Sequence, residues 1–107
     1  MGMRQNIKMI YSKGSPVYLY SHWNGGADVN QSPLARVVRE AITRRQRWDD
    51  ESYLARIIVS TILKGDINGE VGYGIAPYPM DEEFPTIEVN LAKKTVNDTP
   101  YRKFITL

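Results

Sequence analysis

The sequence contains no cysteine, which excludes a disulfide framework and any zinc site built on thiolate ligands. Stability must therefore come from a packed core, and a reducing compartment is permitted, so we expect the cytoplasm. No apolar run approaches the roughly 18 residues of a membrane span. The first residues, MGMRQN, also lack the apolar segment of a signal peptide. We therefore expect no membrane partner.

The sequence also has no large excess of charge of either sign, because 14 Lys and Arg against 12 Asp and Glu leave a formal net charge of +2. Nucleic-acid binding requires cations clustered on one surface, so this balance does not predict a nucleic-acid partner. One histidine among scattered acids makes no metal-ligand pattern. The acidic runs 49–51 and 81–83 could meet around Mg²⁺ if the fold brought them together, but nothing in their spacing requires it. We expect no metal and no cofactor.

The residues present are those of an ordinary globular domain, since 42% of the 107 residues are hydrophobic and 24% are charged. We expect a single domain over residues 1–107. Its centre is the segment 48–63, WDDESYLARIIVSTIL, which is typical of a helix that is apolar nearly all round. The thin polar stripe consists of Arg56, Ser60 and Lys64. The pattern predicts a helix enclosed on most sides and capped by Asp49 or Asp50.

The first half of the chain predicts a hairpin followed by a second helix. Two runs rich in β-branched and aromatic residues, 6–11 and 16–23, flank a glycine-containing loop. The loop HWNGGADVNQS then ends in Ser32-Pro33, the expected N-cap and first residue of a helix that continues to about Trp48. One side of this helix is apolar, and the other carries Arg36, Arg39, Glu40, Arg44 and Arg47. The short connection 47–50 indicates that the two helices pack as a pair.

The second half predicts short strands near 71–75 and 86–91. Segment 99–107 fits two structures, a short helix capped at Thr99-Pro100 or a strand over 104–107. The order β-β-α-α-β-β, with a further strand or turn, predicts an α+β fold. In this fold a small antiparallel sheet of four to five strands carries a two-helix hairpin on one face.

Two tyrosines are candidates for an interface on the other face of that sheet. If Val17 and Leu19 face the helices, Tyr18 and Tyr20 point away and expose aromatic rings. Homodimerisation would cover them, although tyrosines are also common on solvated strands. We therefore expect a homo-oligomer, with Tyr18 and Tyr20 as interface candidates.

His22 is a candidate base beside a flexible loop. It follows a predicted strand and precedes Gly25 and Gly26, which would let a ligand approach backbone N–H groups. Catalysis also requires a nucleophile and an orienting group, and the sequence has neither a GxSxG motif nor a cysteine. A structural imidazole is therefore the favoured interpretation, and no catalytic residue is assigned.

The second candidate region is the corner between the helices. The guanidinium groups of Arg45 and Arg47 suit a phosphate or carboxylate, and Trp48 or Trp23 could stack on a ring. Each residue also has a structural task, since tryptophan fills a helix corner and aspartate caps a helix. We predict one ligand surface that combines loop and corner. Its candidates are His22, Trp23, Gly25, Gly26, Arg45, Arg47, Trp48 and Asp49.

The segments YLYSHWNGG, RWDDESYLARII and GYGI, in this order and spacing, resemble a family of small uncharacterised bacteriophage and prophage proteins. The resemblance extends from the first hairpin to TIEVN and departs at 22–26, where the relatives have HWGG. Because that family has no established activity, it implies only a context, in which small accessory proteins counter host defence by stoichiometric binding.

Three functions remain open. The first is a binding protein that sequesters a phosphate-bearing, nucleotide-type ligand or blocks a host protein. The second is a His22-dependent enzyme of nucleotide or phosphodiester chemistry. The third is a structural or assembly protein of the virion.

Overall fold

A computed structural model describes residues 4–22, 25–44, 47–66, 68–69, 72–81 and 83–107. Within these residues the chain forms six strands and three helices. The strands are β1 (Gln5–Ile10), β2 (Val17–Ser21), β3 (Tyr73–Ala76), β4 (Thr86–Asn90), β5 (Thr95–Val96) and β6 (Thr99–Pro100). The helices are α1 (Pro33–Thr43), α2 (Glu51–Ile62) and α3 (Tyr101–Phe104). The predicted α+β class and order of elements are confirmed, with six strands in place of four to five.

All six strands form one sheet in the order β3-β2-β1-β4-β5-β6. β1 and β2 make the predicted antiparallel hairpin, with Ile7 opposite Leu19. The pair β1 and β4 is parallel, with Ile7 beside Ile87, so the predicted antiparallel sheet is corrected for this pair. A parallel neighbour needs a long crossover, and here that connection contains both main helices and β3.

The core lies between one face of the sheet and the pair α1 and α2. Side chains at alternate strand positions fill the sheet side, because successive residues of a strand point to opposite faces. The buried apolar residues of the strands are Ile7, Met9, Leu19, Ile87, Val89 and Val96. Those of the helices are Leu34, Ala35, Val38, Ala41, Ile42, Leu54, Ala55, Ile58 and Ile62. The sheet–helix core is therefore built from residues that the strand and helix periodicities mark as apolar.

Helix α2 begins after Asp50, whose carboxylate accepts a hydrogen bond from the Tyr53 N–H at 3.3 Å, as a capping aspartate should. The predicted polar stripe is exposed at Arg56 and Ser60, and the enclosure of the rest of the helix is looser than expected. Ile57 and Val59 are only half-buried, and Tyr53 is 52% exposed. The helix lies against the sheet and α1, and its remaining surface faces solvent.

Helix α1 starts as predicted but ends earlier. The Ser32 hydroxyl accepts from the Ala35 N–H at 3.1 Å and donates to Gln5 Oε1 at 3.0 Å. The helix ends at Thr43 rather than near Trp48. The cap N–H of Arg44 donates to the Ile42 carbonyl, and the Trp48 indole N–H donates to the same oxygen at 2.9 Å. The chain therefore turns back and uses a carbonyl that a continuing helix would have bonded.

The arginine-rich side of α1 is not uniformly solvated. Arg44 makes an i,i+4 ion pair with Glu40 at 3.6 Å. Arg39 instead donates to the carbonyl oxygens of Phe104, at 3.0 Å, and Asn30, and its guanidinium lies 4.7 Å from the Phe104 ring centroid. Burial, and to a smaller extent Arg36, lower the pKa of Arg39. Arg39 thus ties α1 to the C-terminal helix.

Of the two alternatives for segment 99–107 the helix forms, but Thr99-Pro100 is strand β6 and no side chain caps the helix that follows. Asn97 and Asp98 have φ angles of 51° and 67° and join β5 to β6 as a two-residue hairpin turn. The chain then enters α3, in which Tyr101 and Phe104 are buried. No strand forms over 104–107, because Phe104 is part of the hydrophobic core.

Candidate functional site

The loop and the corner that we predicted as one ligand surface lie at opposite ends of strand β1. The Gly26 carbonyl accepts from Gln5 Nε2 at 3.4 Å, at the beginning of β1. Glu51, next to the corner, accepts from the Ser12 N–H at 2.8 Å, just beyond the end of β1. The six residues of β1 alone span about 17 Å. The combined surface is therefore corrected to two separate regions, and Trp23 and Arg45 lie outside the described residues.

At the loop, near the beginning of β1, His22 contacts Tyr20. The Tyr20 hydroxyl and His22 Nδ1 lie 3.0 Å apart, and the two rings meet edge to face with centroids 6.1 Å apart. The His22 backbone N–H donates to the Gly72 carbonyl at 2.7 Å. A phenol can hold an imidazole in one orientation, but it does not provide the nucleophile and orienting carboxylate that general-base catalysis needs. These contacts favour a structural imidazole.

The tyrosine face of the sheet is partly covered by the chain itself. The Phe84 ring stacks on Tyr20 with centroids 6.4 Å apart, and the Lys8 ammonium lies 5.9 Å from the centroid of Tyr18. Buried Asn6 donates to the Asp81 carbonyl at 3.1 Å, which holds Asp81 beside this face. Both tyrosines are half-buried. The exposed aromatic surface behind our dimer prediction is therefore smaller than expected.

At the corner, beyond the other end of β1, Trp48 lies between core and solvent. Its indole N–H is bonded to the Ile42 carbonyl, and its ring meets that of buried Tyr101 edge to face, with centroids 5.3 Å apart. The ring itself is half-buried. Trp48 therefore has the structural task that the sequence suggested and still presents part of its surface outside.

Two cationic residues with left-handed backbone flank this corner. Arg47 has a φ of 64° and Lys94 a φ of 58°. Residues other than glycine seldom adopt a positive φ, and those that do are concentrated at functional sites. Lys94 Nζ lies 2.7 Å from Asp49 Oδ1, and the Arg47 guanidinium lies 4.8 Å from the Tyr53 ring centroid. The β4–β5 turn and the helix connection are thus joined by an ion pair.

A cavity of about 430 Å³ opens beside Trp48. It is lined by Trp48, Asp49, Lys93, Lys94, Pro100, Tyr101 and Arg102. A second cavity of about 410 Å³ is lined by Arg47, Trp48, Asp49 and Asp50. The first one, which we call the corner cavity, combines three cations and one carboxylate with the half-buried Trp48, and its size is that of small-ligand sites. Such a surface suits an anionic ligand that carries a ring.

The Tyr101 hydroxyl is the unexplained group at this site. It is buried and finds no hydrogen-bond partner among the described residues. Burial, and then the Glu51 carboxylate, raise its pKa, so the phenol stays protonated at neutral pH. Burial and Glu51 also raise the pKa of Tyr11. A buried unpaired hydroxyl is rare enough to require an explanation, and an ordered water would provide one.

A magnesium site built from the two acidic runs is not formed. Asp49–Glu51 lies at the corner, whereas Asp81 and Glu83 lie near Asn6, at the beginning of β1. Glu82 is outside the described residues. Within the described ranges, no group of three or more histidine and acidic side chains could hold a metal ion.

Sequence reasoning missed five residues of the corner cavity: Lys93, Lys94, Pro100, Tyr101 and Arg102. Their cations lie in two segments, AKK and PYRK, on either side of the β5–β6 hairpin. The Asn97-Asp98 pair between TV and TP was the available signal, because such a pair favours a two-residue turn that would bring both segments together.

Comparisons of the chain with protein-family models, with curated proteins and with solved structures find no match. None of the helices in the described ranges has both the length and the apolar character needed to cross a membrane. The fold and the corner cavity define the class of protein only as a small α+β domain with a cationic, aromatic-lined surface site.

Proposed function

We propose that the protein is a non-enzymatic binding protein that holds a phosphate-bearing, ring-containing ligand of the nucleotide class in the corner cavity. The observation that carries this proposal is the convergence of Lys93, Lys94 and Arg102 on a cavity that the half-buried Trp48 also lines. Lysine and arginine side chains bind phosphate oxygens, and aromatic rings pack against a base.

Binding is favoured over catalysis by the kinds of group at the site. The cations of the corner cavity can hold an anion, and its carboxylate, Asp49, is exposed and ion-paired with Lys94. Neither arrangement activates a nucleophile. The enzymatic alternative depends on His22, which lies at the opposite end of strand β1 from the corner cavity and contacts Tyr20. A His22-dependent nucleotide enzyme is therefore the weaker candidate.

The biological setting that we propose is that of a phage-type accessory protein in the host cytoplasm. The support is the resemblance of YLYSHWNGG, RWDDESYLARII and GYGI to small phage and prophage proteins. Sequestering a nucleotide signal of host defence requires only a stoichiometric site, which a domain of 107 residues can provide. Blocking a host protein through the same corner is the variant of this proposal that needs no small ligand.

Thermal unfolding in the presence of linear and cyclic nucleotides tests the proposal. A ligand at 100 times its Kd should stabilise the fold by about 2.7 kcal/mol. Arg102→Glu reverses one charge at the cavity and should abolish this shift. Lys103→Glu is the matched control, because Lys103 is the next residue, is equally exposed and does not line the cavity. The control should keep the wild-type shift.

Two outcomes would contradict the proposal. If none of the nucleotides shifts the unfolding temperature, the corner cavity does not bind this class of ligand. If Arg102→Glu and Lys103→Glu lose the shift equally, the ligand responds to overall charge and not to the cavity.

A further inference from the structure

Strand β3 is an open edge of the sheet. It pairs with β2 on one side, and no strand of the described chain lies on its other side. The His22 N–H donates to the Gly72 carbonyl, so Gly72, and by alternation Gly74, direct their backbone groups towards β2. The N–H and C=O groups of Tyr73 and Ile75 therefore point outwards. Four backbone groups are available to a further strand.

Apart from its shortness and Pro77, which follows it, this edge lacks the devices that usually protect an edge strand. Residues 72–80, GYGIAPYPM, contain no charged side chain, and β3 itself contains no proline. Lysine and proline are the common protection against edge-to-edge pairing. Ile75 is 61% exposed, and Tyr78 and Met80, which follow the strand, are 61% and 53% exposed. An uncharged strand with unpaired backbone groups and exposed apolar side chains is typical of an interaction surface.

We propose that β3 pairs with β3 of a second copy of this chain, antiparallel and across a two-fold axis at Gly74. In this register Tyr73 lies opposite the partner's Ile75, and Ile75 lies opposite the partner's Tyr73. Both pairs direct their N–H and C=O groups at each other, which forms four hydrogen bonds. Gly74 then lies opposite the partner's Gly74 in a non-hydrogen-bonded pair, where Cα atoms approach to about 4.5 Å.

A second copy fits this edge because a two-fold contact is self-complementary. Any charge on β3 would meet the same charge nearby, and the strand has none. The fold of one chain does not explain glycine at position 74. Its φ is not positive, and a Cβ there would meet no atom within 4 Å. Glycine inside a strand lowers stability, and it often marks a place where another backbone approaches closely.

A single cysteine tests both the surface and the register, since the chain has no cysteine of its own. Gly74→Cys should form a disulfide-linked dimer under mild oxidation, because Cα atoms about 4.5 Å apart are within the range of a disulfide. Ile75→Cys is the matched control on the same edge. Its Cα atoms would lie on the diagonal, roughly 8 Å apart, which is too far for a disulfide. Efficient cross-linking of Ile75→Cys would overturn the register, and absence of cross-linking in Gly74→Cys would overturn the proposal.

Sedimentation equilibrium over a concentration series provides a second test. The wild-type mass should rise from 12.2 kDa towards twice that value. Ile75→Lys places a charge at the edge and should keep the chain monomeric, with an unchanged circular dichroism spectrum. Leu107→Lys, at a residue that is 44% exposed and distant in sequence, should still dimerise. A wild-type mass that stays at 12.2 kDa would overturn the proposal, and the edge would then be open to a strand of a different protein. Open-ended polymers would overturn it too, because a two-fold contact closes at the dimer.

Discussion

The rings of Trp48 and Tyr101 meet edge to face with centroids 5.3 Å apart, and this contact joins the helix connection to the C-terminal helix. An aromatic pair of this geometry contributes about 1 kcal/mol beyond the area it buries. The corner cavity exists because this contact holds the connection beside α3. Its shape therefore depends on the docking of α3 against the core.

The unpaired hydroxyl of Tyr101 leads to a stability prediction. Tyr101→Phe keeps the ring and removes a buried polar group without a partner in the described chain, so the free energy of unfolding should stay constant or rise by about 1 kcal/mol. Urea denaturation at pH 7 measures this change. Tyr53→Phe, at an exposed tyrosine, is the control and should leave the value unchanged. A clear loss of stability in Tyr101→Phe would mean that the hydroxyl has a partner, such as an ordered water.

The same variant should change the response to alkaline pH. Burial, and then Glu51, raise the pKa of Tyr101 above its ordinary value of about 10, so the folded chain keeps a proton that the unfolded chain loses. The resulting stabilisation is complete below about pH 10 and is lost as the pH rises through the pKa of the folded state. The unfolding free energy should therefore fall less steeply above pH 10 in Tyr101→Phe than in Tyr53→Phe. Equal slopes would contradict the raised pKa.

Arg39 should matter more than any other arginine on its helix. Arg39→Met removes two hydrogen bonds to carbonyl oxygens and the contact with the Phe104 ring, and it should lower the free energy of unfolding by about 2–3 kcal/mol. Arg36→Met, at an exposed position of the same helix, should change it by less than about 0.5 kcal/mol. Urea denaturation compares the two variants. Equal effects would show that charge, rather than these contacts, determines the loss.

The β5–β6 turn allows a similar paired comparison. Asn97 Oδ1 accepts from the Glu88 N–H at 2.9 Å, and Nδ2 donates to the Val29 carbonyl at 3.0 Å and to Asn30 Oδ1 at 2.9 Å. Because glycine tolerates the positive φ, Asn97→Gly removes only these bonds and should lower the unfolding free energy by about 2 kcal/mol.

Asp98→Gly is the control for this turn, because Asp98 also has a positive φ but is exposed. Its unfolding free energy should stay the same or rise slightly. Thermal denaturation followed by circular dichroism measures both variants. A loss in Asp98→Gly as large as that in Asn97→Gly would mean that the turn conformation is the cause.

Features that depend on a few neighbouring residues were predictable from the sequence. The hairpin follows from alternating side chains around a glycine loop, and both main helices begin at the residues whose side chains can cap them, Ser32 and Asp50. The end of α1 was not predictable in this way. It depends on the Trp48 indole bonding to the Ile42 carbonyl, a contact that forms only when the corner packs.

The single ligand surface failed for a reason that helix geometry explains. The loop 22–26 precedes α1 and the corner follows it, and an α-helix of 11 residues is about 16 Å long. A helix that lies along the strands therefore has its two ends at opposite ends of the sheet's central strand. The cations that do surround Trp48 come instead from the β4–β5 turn and α3, which are distant in sequence.

The amino-acid sequence by itself determined the α+β class, the order of the main elements and the two helix caps, because periodicity and capping act within one or two turns of chain. Only the tertiary structure decided the parallel pairing of β1 with β4, the Tyr101 and Arg102 side of the corner cavity and the open edge at β3. These features depend on which distant segments share the sheet and the core, and that choice minimises the free energy of the whole chain rather than of any one segment.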